Sequence, residues 1–331
     1  MVDMGGATGL RDLDSLQRPS RKDGPTTTVR RMLAIVALAC IGVPLAGTTS
    51  ANAVTVPPTP GYWLAGADGG VYSFGAPFYG SGVTPPGGCT FSPQPPSTLN
   101  GALGCDAIAS TPSGNGYWLL NSFRSATAFG QAAQALQVGC TSLNGAAGFW
   151  TGFASSPTGN GFLVSSSNGG VWGCGDAVPL GGLTTKTLNA PVIGIAATRD
   201  GKGYWLVSGD GGVFSFGDAQ FYGSMGGAPL NSPVVGIAAT PDGKGYWLAA
   251  LDGGVFSFGD AQFYGSMGAA PLNTPPMVGI AATPDGKGYW LAGADGGVFS
   301  FGSAPFEGSM GGKQLNASVV GIATYAPPVP G

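Results

Sequence analysis

Few side chains of this chain could do chemistry. It has no histidine, and Glu307 is its one glutamate, so acid–base or nucleophilic work would fall to aspartates and serines. Asp68, Asp210, Asp252 and Asp295 each open the phrase Asp-Gly-Gly, and Asn168 opens the matching Asn-Gly-Gly. A ring of such carboxylates could hold a hard cation or a sugar. An aspartate before two glycines is also a turn in which the carboxylate bonds its own backbone. Repetition without convergence favours the turn. Asp200, Asp242 and Asp285, each two residues before a lysine (Lys202, Lys244, Lys287), read as solvated turns in the same way. Asp106 stands outside these turns, but one carboxylate does not make the pair a glycosidase needs. Ser208 to Gly212 faintly resembles a sialidase Asp-box. Its aromatic is out of register, and beyond residue 53 only Arg124 and Arg199 could supply the arginine cluster. No catalytic residue, metal site or cofactor is assigned.

These residues lie in a repeat. Gly-Tyr-Trp-Leu-x(3)-Asp-Gly-Gly-Val-Phe-Ser-Phe-Gly recurs, intact or eroded, from Gly61, Gly116, Gly161, Gly203, Gly245 and Gly288; these are copies 1 to 6. A period of about 40–45 residues built from short strands signals a propeller blade. In copy 5, Val234–Thr240 reads as a buried strand and Pro241–Gly245 as a turn. Tyr246–Ala250 and Val255–Phe258 follow as second and third strands, and Gln262–Gly265 as a fourth. The expected fold is all-β: a six-bladed β-propeller of four-stranded antiparallel blades. Copy 1 lacks a strand before Gly61, and Val319–Thr324 is such a strand with nothing after it. The ring is expected to close by this C-terminal strand completing the first blade.

Copies 4 to 6 are nearly identical and copies 1 to 3 eroded. Asn121–Ser125 replaces the Asp-Gly-Gly turn in copy 2, Trp172-Gly173-Cys174 replaces Phe-Ser-Phe in copy 3, and Gly82–Gly104 is a Pro- and Gly-rich insertion. What recurs builds blades, so ligand contacts are expected at non-repeated residues: Phe91, Phe123, Arg124, Phe149, Trp150 and Trp172.

Residues 1–53 read as a signal peptide, with a disordered n-region at 1–31 and an apolar h-region at 32–47, ending in Ala51-Asn52-Ala53. A linker (54–60), the propeller (61–324) and a Pro-rich tail (325–331) follow. Without the leader, net charge is about −5, too acidic and charge-poor to neutralise a phosphate backbone; no nucleic-acid partner is expected. Cys89, Cys105, Cys140 and Cys174 remain, an even number that suits two disulfides in an exported chain. Cys89–Cys105 and Cys140–Cys174 pair sequence neighbours and are preferred. The absence of C-x-x-C spacing and of histidine argues against zinc or thioredoxin-like chemistry.

Gly203 to Ser224 and Gly245 to Ser266 resemble a repeat of exported actinobacterial proteins that often sits beside cell-wall or hydrolase domains. Thr240 to Trp247 is similar to the first hairpin of YVTN and NHL-type propellers. The resemblance implies a propeller and export, and carries no catalytic residue. The expected protein is a monomeric, secreted or cell-wall-associated binding or scaffold module without catalytic activity, contacting a glycan or protein. Membrane attachment would come only through an uncleaved leader. The alternatives are an extracellular esterase or glycosidase, and a purely structural surface protein.

Overall fold

The computed structural model describes residues 59–83, 104–121, 125–132, 148–268 and 276–328. The expected leader, most of the Gly82–Gly104 insertion, and Cys89, Phe91, Phe123, Arg124 and Cys140 lie outside these residues.

The described residues form eighteen strands. Copy 1 supplies β1 (Gly61–Gly66) and β2 (Val71–Phe74), copy 2 β3 (Cys105–Ser110), β4 (Gly116–Asn121) and β5 (Ser125–Gly130). Copy 3 gives β6 (Trp150–Ser155), β7 (Gly161–Ser166) and β8 (Val171–Gly175), and copy 4 gives β9 (Val192–Ala197), β10 (Gly203–Ser208) and β11 (Val213–Gly217). Copy 5 gives β12 (Val234–Ala239), β13 (Gly245–Ala250) and β14 (Val255–Gly259). Copy 6 gives β15 (Met277–Ala282), β16 (Gly288–Gly293) and β17 (Val298–Gly302), and β18 (Val319–Tyr325) ends the series. They make six three-stranded antiparallel sheets, a propeller-like all-β arrangement. β18 pairs with β1, Ile322 opposite Leu64 and Thr324 opposite Tyr62, so the first sheet draws strands from both ends of the repeat.

The middle strand of every sheet is buried along its whole length, although its residues alternate between two faces. Both faces are covered. Trp247 and Ala249 of copy 5 pack against Tyr289 and Leu291 of copy 6, and Trp290 and Ala292 of copy 6 against Tyr62 and Leu64 of copy 1. Trp63 meets Tyr117 and Leu119, Trp118 meets Phe162 and Val164, Leu163 meets Tyr204 and Leu206, and Trp205 meets Tyr246 and Leu248. Aromatic density therefore lies between sheets, one cluster per junction.

The fourth strand expected at Gln262–Gly265 does not form: this stretch is irregular. Its backbone groups are taken by side chains instead of a ladder. The Trp247 indole N–H donates to the Gln262 carbonyl (2.8 Å), the Tyr264 N–H donates to the Tyr289 hydroxyl (3.2 Å), and that hydroxyl donates to the Gly265 carbonyl (2.5 Å). Gly265 holds φ 134°, and a Cβ there would stand 2.7 Å from the Phe301 ring of copy 6. Only glycine fits flat on that ring. We call this segment the outer arm.

The inner strands β3, β6, β9, β12, β15 and β18 each lie beside two others, β18 beside both β15 and β3. Together they surround a narrow cavity of about 110 Å³. Glycines at its waist permit this approach: a Cβ at Gly236, Gly279 or Gly321 would meet Ile280, Ile322 or Ile108 of the next inner strand at 3.4 Å.

Candidate functional site

The Tyr-Trp pair works as a two-way latch. Trp63, Trp205, Trp247 and Trp290 each donate an indole N–H to a carbonyl of their own outer arm, at 2.7–2.8 Å. The tyrosine hydroxyls hold the arm of the preceding copy: Tyr117 bonds Gly80, Tyr204 Gly181, Tyr246 Gly223 and Tyr289 Gly265. Tyr62 bonds Gly308 of copy 6 at 2.6 Å.

Burial raises the pKa of all five hydroxyls from the ordinary 10.0, and that of Tyr117 to about 12. The stability these neutral phenols contribute is complete below pH 10 and lost as pH rises through their folded values. Absorbance at 295 nm should therefore show the latch tyrosines ionising together with unfolding, well above free tyrosine. Ionisation near pH 10 with the fold intact would refute their role.

The recurrent aspartates close their own turns. Asp68, Asp210, Asp252 and Asp295 accept the N–H of the residue two ahead at 2.8–3.1 Å, and Asn168 does so at 3.2 Å. Asp200, Asp242 and Asp285 accept from a threonine hydroxyl and from a lysine N–H. Among the described residues, no three carboxylates or cysteines group around a possible metal position.

Asp260 comes up beside Asp242 across the Thr240 hydroxyl, which lies 2.8 Å from Asp242 and 3.3 Å from Asp260. The Thr240 bond lowers the Asp242 pKa, while desolvation and then Asp242 raise that of Asp260. Asp242 thus stabilises the fold above the carboxylate range and loses this as pH falls; Asp260 acts with the opposite sign. In a carboxyl NMR titration Asp260 should protonate first as pH falls, and Asp242→Asn should lower its pKa. An unmoved Asp260 would contradict the coupling. Asp218, near Asp200, and Asp260 follow the Ser-Phe-Gly strand ends, away from their partners in sequence, so only the fold reveals these pairs.

The latch is interrupted at the junction of copies 2 and 3. Phe162 replaces its tyrosine there, Leu163 replaces the tryptophan at the next junction, with copy 4, and the Trp118 indole N–H has no partner among the described residues. Beside this junction three of the expected site residues come together. Trp172 lies over the Asn168 turn, where a Cβ on Gly170 would stand 2.2 Å from its ring. Trp150 meets Trp172 edge-on with ring centroids 5.0 Å apart. Phe149 is tied to the same turn through Ser167 and is 64% exposed. Trp150 is buried and Trp172 half-buried, so Trp150 packs the core and Phe149 presents the surface. Phe91, Phe123 and Arg124 lie outside the described residues. Cys105 and Cys174 are buried in different clusters and neither is a free thiol. Their expected partners, Cys89 and Cys140, lie outside the described residues.

A second concavity, about 520 Å³, opens where the inner strands end. Ser110, Pro112, Ser155, Thr198, Arg199 and Thr324 line it. This volume is in the range of small-molecule sites. Arg199 is exposed and stands where copies 5 and 6 have Pro241 and Pro284. That replacement was the one sequence signal for this mouth.

Compared with protein-family models and with curated proteins, the chain matches none. Among the described residues, no helix is long and apolar enough to cross a membrane.

Proposed function

We propose that the protein is a secreted or cell-wall-associated binding or scaffold module: a closed ring of six three-stranded blades that carries no chemistry of its own. The pairing of β18 with β1 and the Tyr62–Gly308 bond support closure. The partner is a surface glycan or protein, met by the irregular copies. The observation that carries this is the coincidence of the broken latch with the Phe149–Trp150–Trp172 cluster. In the intact copies the Tyr-Trp pairs and the turn aspartates are used within the fold; here Phe149 is free of that duty and exposed, as aromatic binding anchors are. Export, the disulfides Cys89–Cys105 and Cys140–Cys174, and the resemblance to exported repeat proteins belong to the same proposal.

The test is a cell-wall pull-down and glycan array with wild type, Phe149→Ala and Trp172→Ala. Saturable binding should fall about tenfold or more in the variants, whose melting curves stay cooperative, as for hot-spot residues. Equal binding by all three proteins, or turnover of ester or glycoside substrates by wild type, would overturn the proposal.

A further inference from the structure

Four phenylalanines repeat and yet stay in water. Phe78, Phe221, Phe263 and Phe306 occupy the same place on four outer arms and are 60%, 58%, 56% and 62% exposed. They do not build the blades, although they recur. The latch fixes each on both sides. For Phe263, the preceding carbonyl of Gln262 is held by Trp247 and the following N–H of Tyr264 by Tyr289. For Phe306, Trp290 holds Pro305 and Tyr62 holds Glu307. Phe78 and Phe221 are flanked by the same two bonds. The arm backbone is thereby rigid on either side of an outward ring, a preorganised contact whose ordering cost is met before any ligand arrives.

Around Phe263 the neighbouring surface forms a cleft of about 280 Å³. Phe256 and Phe263 give it aromatic surface, and Asn231, Ser232, Asp252 and Ser266 give it amide, hydroxyl and carboxylate groups. Among the described residues no lysine or arginine lines it, so an anionic ligand would find no counter-charge there. An aromatic face beside polar donors and acceptors suits a polyol ring, whose C–H face stacks while its hydroxyls are bonded. Copies 4 and 6 place the same types in register: Asp210, Phe214, Phe221 and Ser224, and Asp295, Phe299, Phe306 and Ser309. Copy 1 has Asp68, Tyr72, Phe78 and Ser81. Repetition of one subsite matches a ligand that itself repeats.

We infer that the outer arms form a set of equivalent subsites for a neutral polysaccharide, with Phe78, Phe221, Phe263 and Phe306 as stacking platforms. This goes beyond the proposed function, which rests on different residues in copies 2 and 3. Linked weak sites gain avidity without tight single contacts.

The test is affinity electrophoresis of the full chain in gels containing galactomannan or glycogen, with polygalacturonate as the anionic control. Wild type should be retarded by a neutral polymer and not by polygalacturonate. Each single Phe→Ala variant should weaken retardation about twofold to tenfold, as expected for loss of one aromatic contact. The quadruple variant should weaken it by about a hundredfold or more, the range of avidity gains from linked sites. Because these rings are largely exposed, the quadruple variant should keep the wild-type melting curve. Absence of retardation by both neutral polymers, or undiminished retardation of the folded quadruple variant, would overturn the inference. So would self-association of wild type in sedimentation that the quadruple variant loses, since the rings would then pair copies of the chain. Phe149→Ala separates the two proposals: if it alone removes wall binding while the quadruple variant retains wall binding and wild-type retardation, the subsites fail and the proposed function stands.

Discussion

Ending the chain at Ser318, so that β18 is absent, should abolish cooperative folding. β1 would lose the partner that pairs with it from Gly61 to Gly66. The clusters around Trp63 and Trp290 would lose Ala323 and Val319, and the inner strands β3 and β15 would each lose a neighbour. An exposed strand edge also invites pairing with other chains. A domain is stable by only roughly 5–15 kcal/mol, so losing a whole sheet strand and both its packing junctions leaves little margin. Circular dichroism and urea unfolding of the truncated chain should show no sigmoidal transition and a tendency to aggregate. A two-state transition at the wild-type midpoint would show that β18 is dispensable.

The second large effect is expected at the latch. Trp247 is fully buried between copies 5 and 6 and donates to the Gln262 carbonyl. Trp247→Ala should cost about 3–5 kcal/mol through lost burial and the cavity left behind. For a domain of this size that lowers Tm by about 10 °C. A milder pair isolates the hydrogen bond. Trp247→Phe leaves the arm carbonyl without its donor and should cost about 1–3 kcal/mol beyond the packing change. Trp118 is equally buried, but its indole N–H has no partner among the described residues, so Trp118→Phe should cost less by that amount. Differential scanning calorimetry of the two variants decides it; equal losses would remove the latch from the explanation.

The blade pattern was legible because each of its signals is local. Alternation in Tyr246–Ala250, the Asp252-Gly253-Gly254 turn and the β-branched run at Val234 need only neighbours in sequence to be read. The missing first strand and the spare last one were legible for the same reason, and β18 does pair with β1. The fourth strand was not. Gln262-Phe263-Tyr264-Gly265 has the composition of a strand, but its backbone bonds go to Trp247 and Tyr289, one of which belongs to the next copy. No local signal marks a carbonyl that a distant indole will take.

The candidate site was partly legible. Phe149, Trp150 and Trp172 stand out because the repeat does not demand them, and they do come together. Burial of Trp150 was not foreseeable, since its place at the start of an inner strand becomes core only when β7 and Trp172 pack on it. The rule that recurring residues are scaffold holds for Tyr246 and Trp247, which are fully buried, and fails for Phe263, which recurs and is exposed. Whether a repeated aromatic faces inward depends on the latch bonds at its flanks, which belong to tertiary structure.

A circular permutant bears most directly on the proposed closed ring. Thr324 would be joined to Gly61 through Thr-Pro-Asp-Gly-Lys, the turn that joins Ala239 to Gly245, with new ends between Gly312 and Lys313 in an exposed turn. If strands from both ends share one sheet, the first blade becomes a contiguous segment like its neighbours. Exposed turns tolerate such new ends. The permutant should then unfold cooperatively with a midpoint at or above that of the parent chain starting at residue 59. Loss of the cooperative transition, or of the β-sheet circular dichroism signal, would contradict the closed six-bladed ring.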